Sequence, residues 1–250
     1  MGGLADSFYE YLIKLWKVSS GAYSRALTMY RESAASIIRN LLRPRKSRDG
    51  SADASCLVQL HGEQVDQGMD HLACFAGGMF ALGASDAGSE ADRKQHMEAA
   101  AGITKSCFES YNYTRTGLGP EIFRCDDELG PLASQYILRP ETVESLFVLW
   151  RTTGDLKYQE WGWWIFQAIV RHCRVERGYV GIQDVQNPAS GVDDLQQSFF
   201  MAETLKYLYL LFSPNDVVRL DEWVFNTEAH PLRVFEPSDK LREVLAKYDL

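Results

Sequence analysis

The sequence has no apolar run that approaches the length of a membrane span, and no basic-then-apolar signal segment at its start. It also lacks a basic excess. Its 26 Lys and Arg stand against 34 Asp and Glu, for a net charge of −8. A nucleic-acid partner would want a basic face, so that class is set aside. Cysteine is sparse. Cys56, Cys74, Cys107, Cys125 and Cys173 contain no C-x-x-C pair, which argues against a zinc or redox motif. Taken alone, they read as small buried hydrophobes. No strict internal repeat is visible.

What is present is an ordinary globular composition, with 46% hydrophobic and 24% charged residues in 250. That length suffices for one sizeable core. Apolar residues recur mostly at helical spacing. Asp6 to Lys17 reads as a helix with Phe8, Tyr11, Leu12 and Leu15 on its apolar stripe. Residues 22–42 continue the pattern. Arg43 to Ser55 is polar and reads as a loop. Leu57 to Leu60 reads as a short strand. Asp70 to Leu82 reads as a helix in which Gly77 and Gly78 call for close packing or a kink. A turn at Ser85 to Ser89 precedes a long helix from Glu90 to Tyr111.

Thr114 to Pro120 and Asp126 to Ser134 read as loops. Pro140 to Thr153 reads as a helix opened by a proline, where the missing N–H costs nothing. Leu156 to Arg174 is another helix, and its tryptophans 161–164 read as core. Gly178 to Val185 suggests a hairpin arm, and Asp194 to Phe212 a long helix. Glu222 to Phe235 reads as short strand or loop, and Leu241 to Leu250 as one exposed helix. Paired helices with short connections predict an all-α domain.

Chemistry is harder to read from residue types, because 34 acidic side chains select nothing. Glu141 and Glu144 share a helix face at i,i+3, and an acidic first turn is ordinary in its own right. The order of blocks is more telling. Residues 1–12 read Met-Gly-Gly-Leu-Ala-Asp-Ser-Phe-Tyr-Glu-Tyr-Leu, and residues 117–123 read Gly-Leu-Gly-Pro-Glu-Ile-Phe. Residues 138–145 read Leu-Arg-Pro-Glu-Thr-Val-Glu-Ser, and 198–208 read Ser-Phe-Phe-Met-Ala-Glu-Thr-Leu-Lys-Tyr-Leu. Residues 226–231 read Asn-Thr-Glu-Ala-His-Pro. In this order the five blocks resemble the class I α-1,2-mannosidases, glycoside hydrolase family 47.

The resemblance covers roughly residues 1–236 and leaves 237–250 as a C-terminal tail. It implies an (α/α)7 barrel with a little β-hairpin content, of which this chain would form about the C-terminal half. It implies calcium-dependent, inverting hydrolysis of terminal α-1,2-linked mannose from high-mannose N-glycans on glycoproteins. Residue by residue, Glu141 matches the family's general base. Asp6 matches a second catalytic carboxylate, and Glu121 matches a third that is sometimes assigned as proton donor. His71, Arg139, Phe199 and Glu203 match residues that contact the sugar. Thr227 matches a threonine that binds Ca²⁺ through its hydroxyl and carbonyl, and Glu144, Glu203 and Glu228 surround that metal. The resemblance also implies a Cys74–Cys107 disulfide. The sequon at Asn112 fits passage through the secretory pathway, though such triplets arise by chance.

Leu4 stands where endoplasmic-reticulum members carry arginine, so the Golgi type is expected in preference to the endoplasmic-reticulum type. Met1 directly precedes residues that the family carries in mid-domain. The chain is therefore expected to continue a longer catalytic domain, with a further essential glutamate and any membrane anchor upstream. The competing expectation is a family member that binds mannose-rich glycoproteins in quality control with little turnover.

Overall fold

The computed structural model describes residues 3, 5–51, 53–62 and 64–248. Leu4, on which the expectation of the Golgi type rests, lies outside them. Among the described residues there are eight α-helices: α1 (Asp6–Val18), α2 (Ser24–Asn40), α3 (Ala76–Gly83), α4 (Glu90–Tyr113), α5 (Glu141–Thr153), α6 (Lys157–His172), α7 (Leu205–Leu211) and α8 (Asp239–Lys247). Sequential neighbours pack as hairpins: α1 on α2, α3 on α4, α5 on α6. The odd-numbered helices also pack on one another in the order α1, α3, α5, α7. That alternation makes an inner row of helices with the even-numbered ones outside it. No helix among the described residues is long and apolar enough to cross a membrane.

α3 is the most enclosed member of the row. Its sequence, Ala-Gly-Gly-Met-Phe-Ala-Leu-Gly, is apolar on every face, as a helix with no solvent side must be. The expected close packing at the paired glycines is real. A Cβ on Gly77 would stand 2.1 Å from Thr104 Oγ1 on α4, and one on Gly83 would stand 2.0 Å from the Tyr30 hydroxyl on α2. The expected single helix from Asp70 instead begins as a 3-10 helix, His71–Phe75, and becomes α-helical at Ala76.

Short strands tie the ends. Two hairpins pair β1 (Leu42–Arg45) with β2 (Ala54–Leu57) and β3 (Gln59–His61) with β4 (Gln64–Asp66). β5 (Gly68–Asp70), β6 (Ile122–Arg124) and β7 (Pro131–Ala133) form an antiparallel sheet, and β8 (Arg174–Val175) pairs with β9 (Gly178–Tyr179). β10 (Trp223–Phe225) pairs with β11 (Pro231–Arg233), with Val224 opposite Leu232.

Several expectations are corrected. Residues 43–55 are not all loop. Leu42–Arg45 pairs with Ala54–Leu57, since Cys56 and Leu57 bury on the core and their backbone needs a ladder partner. Part of the loop from Asp126 is strand β7. No helix starts at Asp194, whose φ of 54° is left-handed; a π-helical turn, Phe200–Thr204, leads into α7. Trp163 is half exposed rather than core, paired with Phe166 and Phe212. On α1 the buried face is not the Phe8–Tyr11–Leu15 stripe, which is exposed, but Glu10, Leu12, Ile13 and Lys14. Two charged residues thus turn inward from α1, paired with each other.

The Cys74–Cys107 disulfide is present, with Cα atoms 5.9 Å apart, and links the 3-10 turn before α3 to α4. Cys56, Cys125 and Cys173 are free and buried. Asn112 is exposed near the end of α4.

Candidate active site

The inner row sets the site. Asp6 and Glu10 lie in the first turns of α1, and His71 opens the 3-10 turn before α3. Glu141 and Glu144 lie in the first turn of α5, and Glu203 in the π-helical turn before α7. The candidate side chains thus come from the N-terminal ends of four consecutive inner elements. There the unpaired N–H groups and the helix dipoles favour negative charge.

The first group centres on Glu141. Its Oε2 is 2.8 Å from His71 Nδ1, and its Oε1 is 3.7 Å from an Arg139 terminal nitrogen. Arg139 Nε–H lies 2.8 Å from both oxygens of Glu121. The two carboxylates and the histidine are therefore joined through one guanidinium, and Glu141 and Glu121 hold that guanidinium's pKa above its usual value against the opposing effect of burial. Arg139 also lies over the Phe199 ring, 6.0 Å from its centroid. The backbone reinforces the group, because the His71 N–H donates to the Glu121 carbonyl at 2.8 Å. Leu138, at φ 69°, reverses the chain just before Arg139, and Thr204 Oγ1 fixes it by donating to its carbonyl at 2.7 Å. The side chains of Glu141, Glu121 and Arg139 keep 11%, 13% and 18% exposure. They are shielded, yet within reach of a ligand.

The second group is a surplus of acid. Lys14 forms a short ion pair with Glu10 and stands 3.6 Å from Glu144 Oε1. Tyr207 donates its hydroxyl to Glu144 at 3.1 Å. Burial, with Glu10 and Glu141 adding to it, pushes Glu144 up from 4.5 to about 8 although Lys14 opposes the shift. Burial followed by Glu141, Glu228 and Glu10 pushes Glu203 up to about 7. Lys14 itself is raised. Burial pulls its ammonium down, but Glu10 and Glu144 outweigh it.

Thr227 sits beside this group, at the tip of the β10–β11 hairpin. Asn226 closes the turn by accepting from the N–H groups of Glu228 and His230. Lys14 Nζ lies 3.5 Å from the Asn226 carbonyl, and Lys206 donates to that of Ala229 at 2.7 Å. Half-buried Thr227 spends neither its hydroxyl nor its carbonyl on a hydrogen bond with another described residue. No group of three or more His, Cys, Asp or Glu side chains forms a metal cage among the described residues. The donors that do fit a hard cation are the two Thr227 oxygens with waters, beside carboxylates that repel one another.

Of the candidates from the sequence, His71, Glu121, Arg139, Glu141 and Phe199 come together directly. Glu144, Glu203 and Glu228 form the neighbouring acidic group. Asp6 stands apart, its carboxylate accepting from the Ser7 N–H at 2.9 Å, one turn before Glu10 on α1. Sequence reasoning passed over Glu10, Lys14, Tyr111, Thr142 and Tyr207. Glu10 lies inside the first motif block, and Lys14 follows at i+4; that spacing was the available signal.

Comparison with known proteins agrees with the motif blocks. The family model described as glycosyl hydrolase family 47 matches residues 1–234. Mannosyl-oligosaccharide 1,2-alpha-mannosidase IA of Sus scrofa is 46% identical over 96% of this chain and 36% of its own length. Mannosyl-oligosaccharide alpha-1,2-mannosidase IA of Drosophila melanogaster is 49% identical over 94% of this chain and 35% of its own. Among solved structures, an alpha-1,2-mannosidase from Trichoderma reesei superposes with a TM-score of 0.83 at 33% identity, over 94% of this chain and 52% of that one. The helix rows are therefore part of the expected (α/α)7 barrel. The chain spans about a third of the length of these curated relatives.

Proposed function

Because the chain belongs to glycosyl hydrolase family 47, we propose that it removes terminal α-1,2-linked mannose from high-mannose N-glycans by inverting hydrolysis. The observation that carries this reading is the joining of Glu121, Arg139, Glu141 and His71 into one shielded group. His71 stands 70 residues before Glu141 in the chain, and Glu121 stands 18 before Arg139.

The residues then take the following roles. Glu141 is the general base. Its Oε2 is tied to His71, so Oε1 is the oxygen that takes the proton from the attacking water. Glu121 orients Arg139, and to act as proton donor it would have to leave the guanidinium. Arg139 and Phe199 together offer a sugar a donor fork and an aromatic face. Asp6, one turn before Glu10 on α1, is the second catalytic carboxylate in this reading, to be reached through water. Ca²⁺ would be held by the hydroxyl and carbonyl of Thr227, with Glu144, Glu203 and Glu228 orienting its waters. When bound, it would grip sugar hydroxyls and polarise the nearby water. The glycan substrate and the Asn112 sequon support passage through the secretory pathway, with the Golgi as the compartment in this reading.

The test is mannose release from α-1,2-linked mannobiose by the purified protein, with calcium and with a chelator. Calcium-dependent release that falls about 10²–10⁴-fold in Glu141→Gln supports the assignment. Release unaffected by Glu141→Gln rejects Glu141 as base, and absence of release with calcium from the protein expressed at the full length of its gene rejects the hydrolase reading. Calorimetry on Thr227→Ala should show weaker calcium binding, and unchanged affinity would remove Thr227 from the metal.

A further inference from the structure

Both nitrogens of the His71 ring are engaged, and the partner of the second is a residue without a role so far. Nδ1 faces Glu141 Oε2 at 2.8 Å, while Nε2 lies 2.6 Å from the Tyr111 hydroxyl and 3.3 Å from Thr142 Oγ1. A carboxylate accepts hydrogen bonds and does not donate them, so Nδ1 carries the hydrogen. In the neutral ring Nε2 is then a bare acceptor and needs a donor. Tyr111 is fully buried at the end of α4, where burial, with Glu141 and Glu121 adding to it, pushes its pKa well above the usual value. Its proton stays on oxygen and is available to donate.

We propose that Tyr111 is a positioning residue for Glu141. Its hydroxyl donates to His71 Nε2 and so fixes the Nδ1–H tautomer that holds Oε2 and leaves Oε1 free. Thr142 assists from the longer distance. The framework keeps this contact in place. Cys74 follows His71 by three residues and Cys107 precedes Tyr111 by four, so the disulfide clamps the two segments one turn from the contact. An edge contact with Tyr136, ring centroids 6.0 Å apart, closes the other side of the phenol.

The inference rests on the reading of Glu141 as a base, but its first test does not require turnover. Histidine labelled with ¹⁵N in the whole protein, with His71 assigned by the loss of its signals in His71→Asn, should show Nδ1 protonated and Nε2 bare. Finding Nε2 protonated and Nδ1 bare in the unaltered protein overturns the proposal, whatever any variant does. In Tyr111→Phe the single tautomer should give way to a mixture; an unchanged signal also overturns it. If mannobiose is hydrolysed, Tyr111→Phe should lower kcat on the order of 10-fold, below the roughly 10²-fold loss of a fully misplaced reacting group, with KM nearly unchanged. A change in KM alone would mean that Tyr111 shapes substrate binding instead, and would overturn its positioning role. A correct tautomer without hydrolysis, in the protein expressed at the full length of its gene, would leave Tyr111 in place and remove the mannosidase reading.

Discussion

The two acidic groups meet at Glu141 and handle charge in opposite ways. Around His71, each acid has its own partner: Glu121 has Arg139, and Glu141 has His71 with Arg139 beyond it. Around Lys14, one ammonium serves Glu10 and Glu144, and Lys206 falls short of offsetting burial and the charges of Glu141, Glu228 and Glu10 on Glu203. The first group is set before any ligand arrives, which is how a base is kept in position. The second holds more negative charge than its cations balance, and its raised Glu144 and Glu203 record the strain. A divalent cation would relieve it. The contrast separates residues that hold geometry from residues that wait for charge.

The largest test of that contrast removes the cation of the balanced group. Arg139→Met leaves Glu121 and Glu141 facing each other without a guanidinium. Urea unfolding should show a loss of about 2–3 kcal/mol, below the roughly 3–5 of a fully buried pair because these side chains keep some exposure. A loss too small to measure would show that the first group does not depend on charge balance.

The overloaded group should respond to pH in a set direction. Glu144 has a folded pKa near 8 against an ordinary 4.5, and Glu203 is raised toward 7. The folded state therefore holds these protons more tightly than the unfolded chain does. That stabilising contribution is complete below pH 4.5 and is lost as pH rises through 7 and 8. Without metal, Tm should fall between pH 5 and 8, and calcium should restore it at pH 8. Glu203→Gln should flatten the profile, raise the metal-free Tm at pH 8 and weaken calcium binding. A metal-free Tm that rises over that range would refute the account.

The smallest effect is a control. Lys94 and Glu98 form an exposed pair at 3.7 Å on α4. Lys94→Ala should change stability by no more than about 0.5 kcal/mol. A larger loss would mean that exposed pairs matter as much as the shielded ones, and the comparison would lose its basis.

The sequence made much of this legible, by two routes. Helical spacing marked α1, α4, α5 and α6 to within a few residues, because their periodicity is long and local. The site residues came only through the ordered motif blocks. What stayed hidden depends on distance along the chain. The β1–β2 hairpin joins residues separated by a polar loop, and the 3-10 start before α3 is set by packing around His71. Glu10 and Lys14 are charged, and nothing local in the sequence says that their face of α1 is the buried one. Tyr111 carries no local mark at all. Its role exists only because the 3-10 turn and α4 are clamped together.

The π-helical turn at Phe200–Thr204 has a consequence of its own. A π turn carries one residue more than an α turn, and in an α-helix one residue corresponds to about 100° of rotation. The segment works as a phase shifter. It lets Tyr207 face Glu144 from α7 while Phe199, upstream of the extra residue, faces Arg139. Thr204, bonded to the Leu138 carbonyl, is the fixed point of that rotation. Deleting one residue between Phe200 and Thr204 would return the helix to even winding and turn Phe199 about a quarter of a revolution off the guanidinium. If the deleted residue is Met201 or Ala202, neither a charged nor a polar side chain is removed.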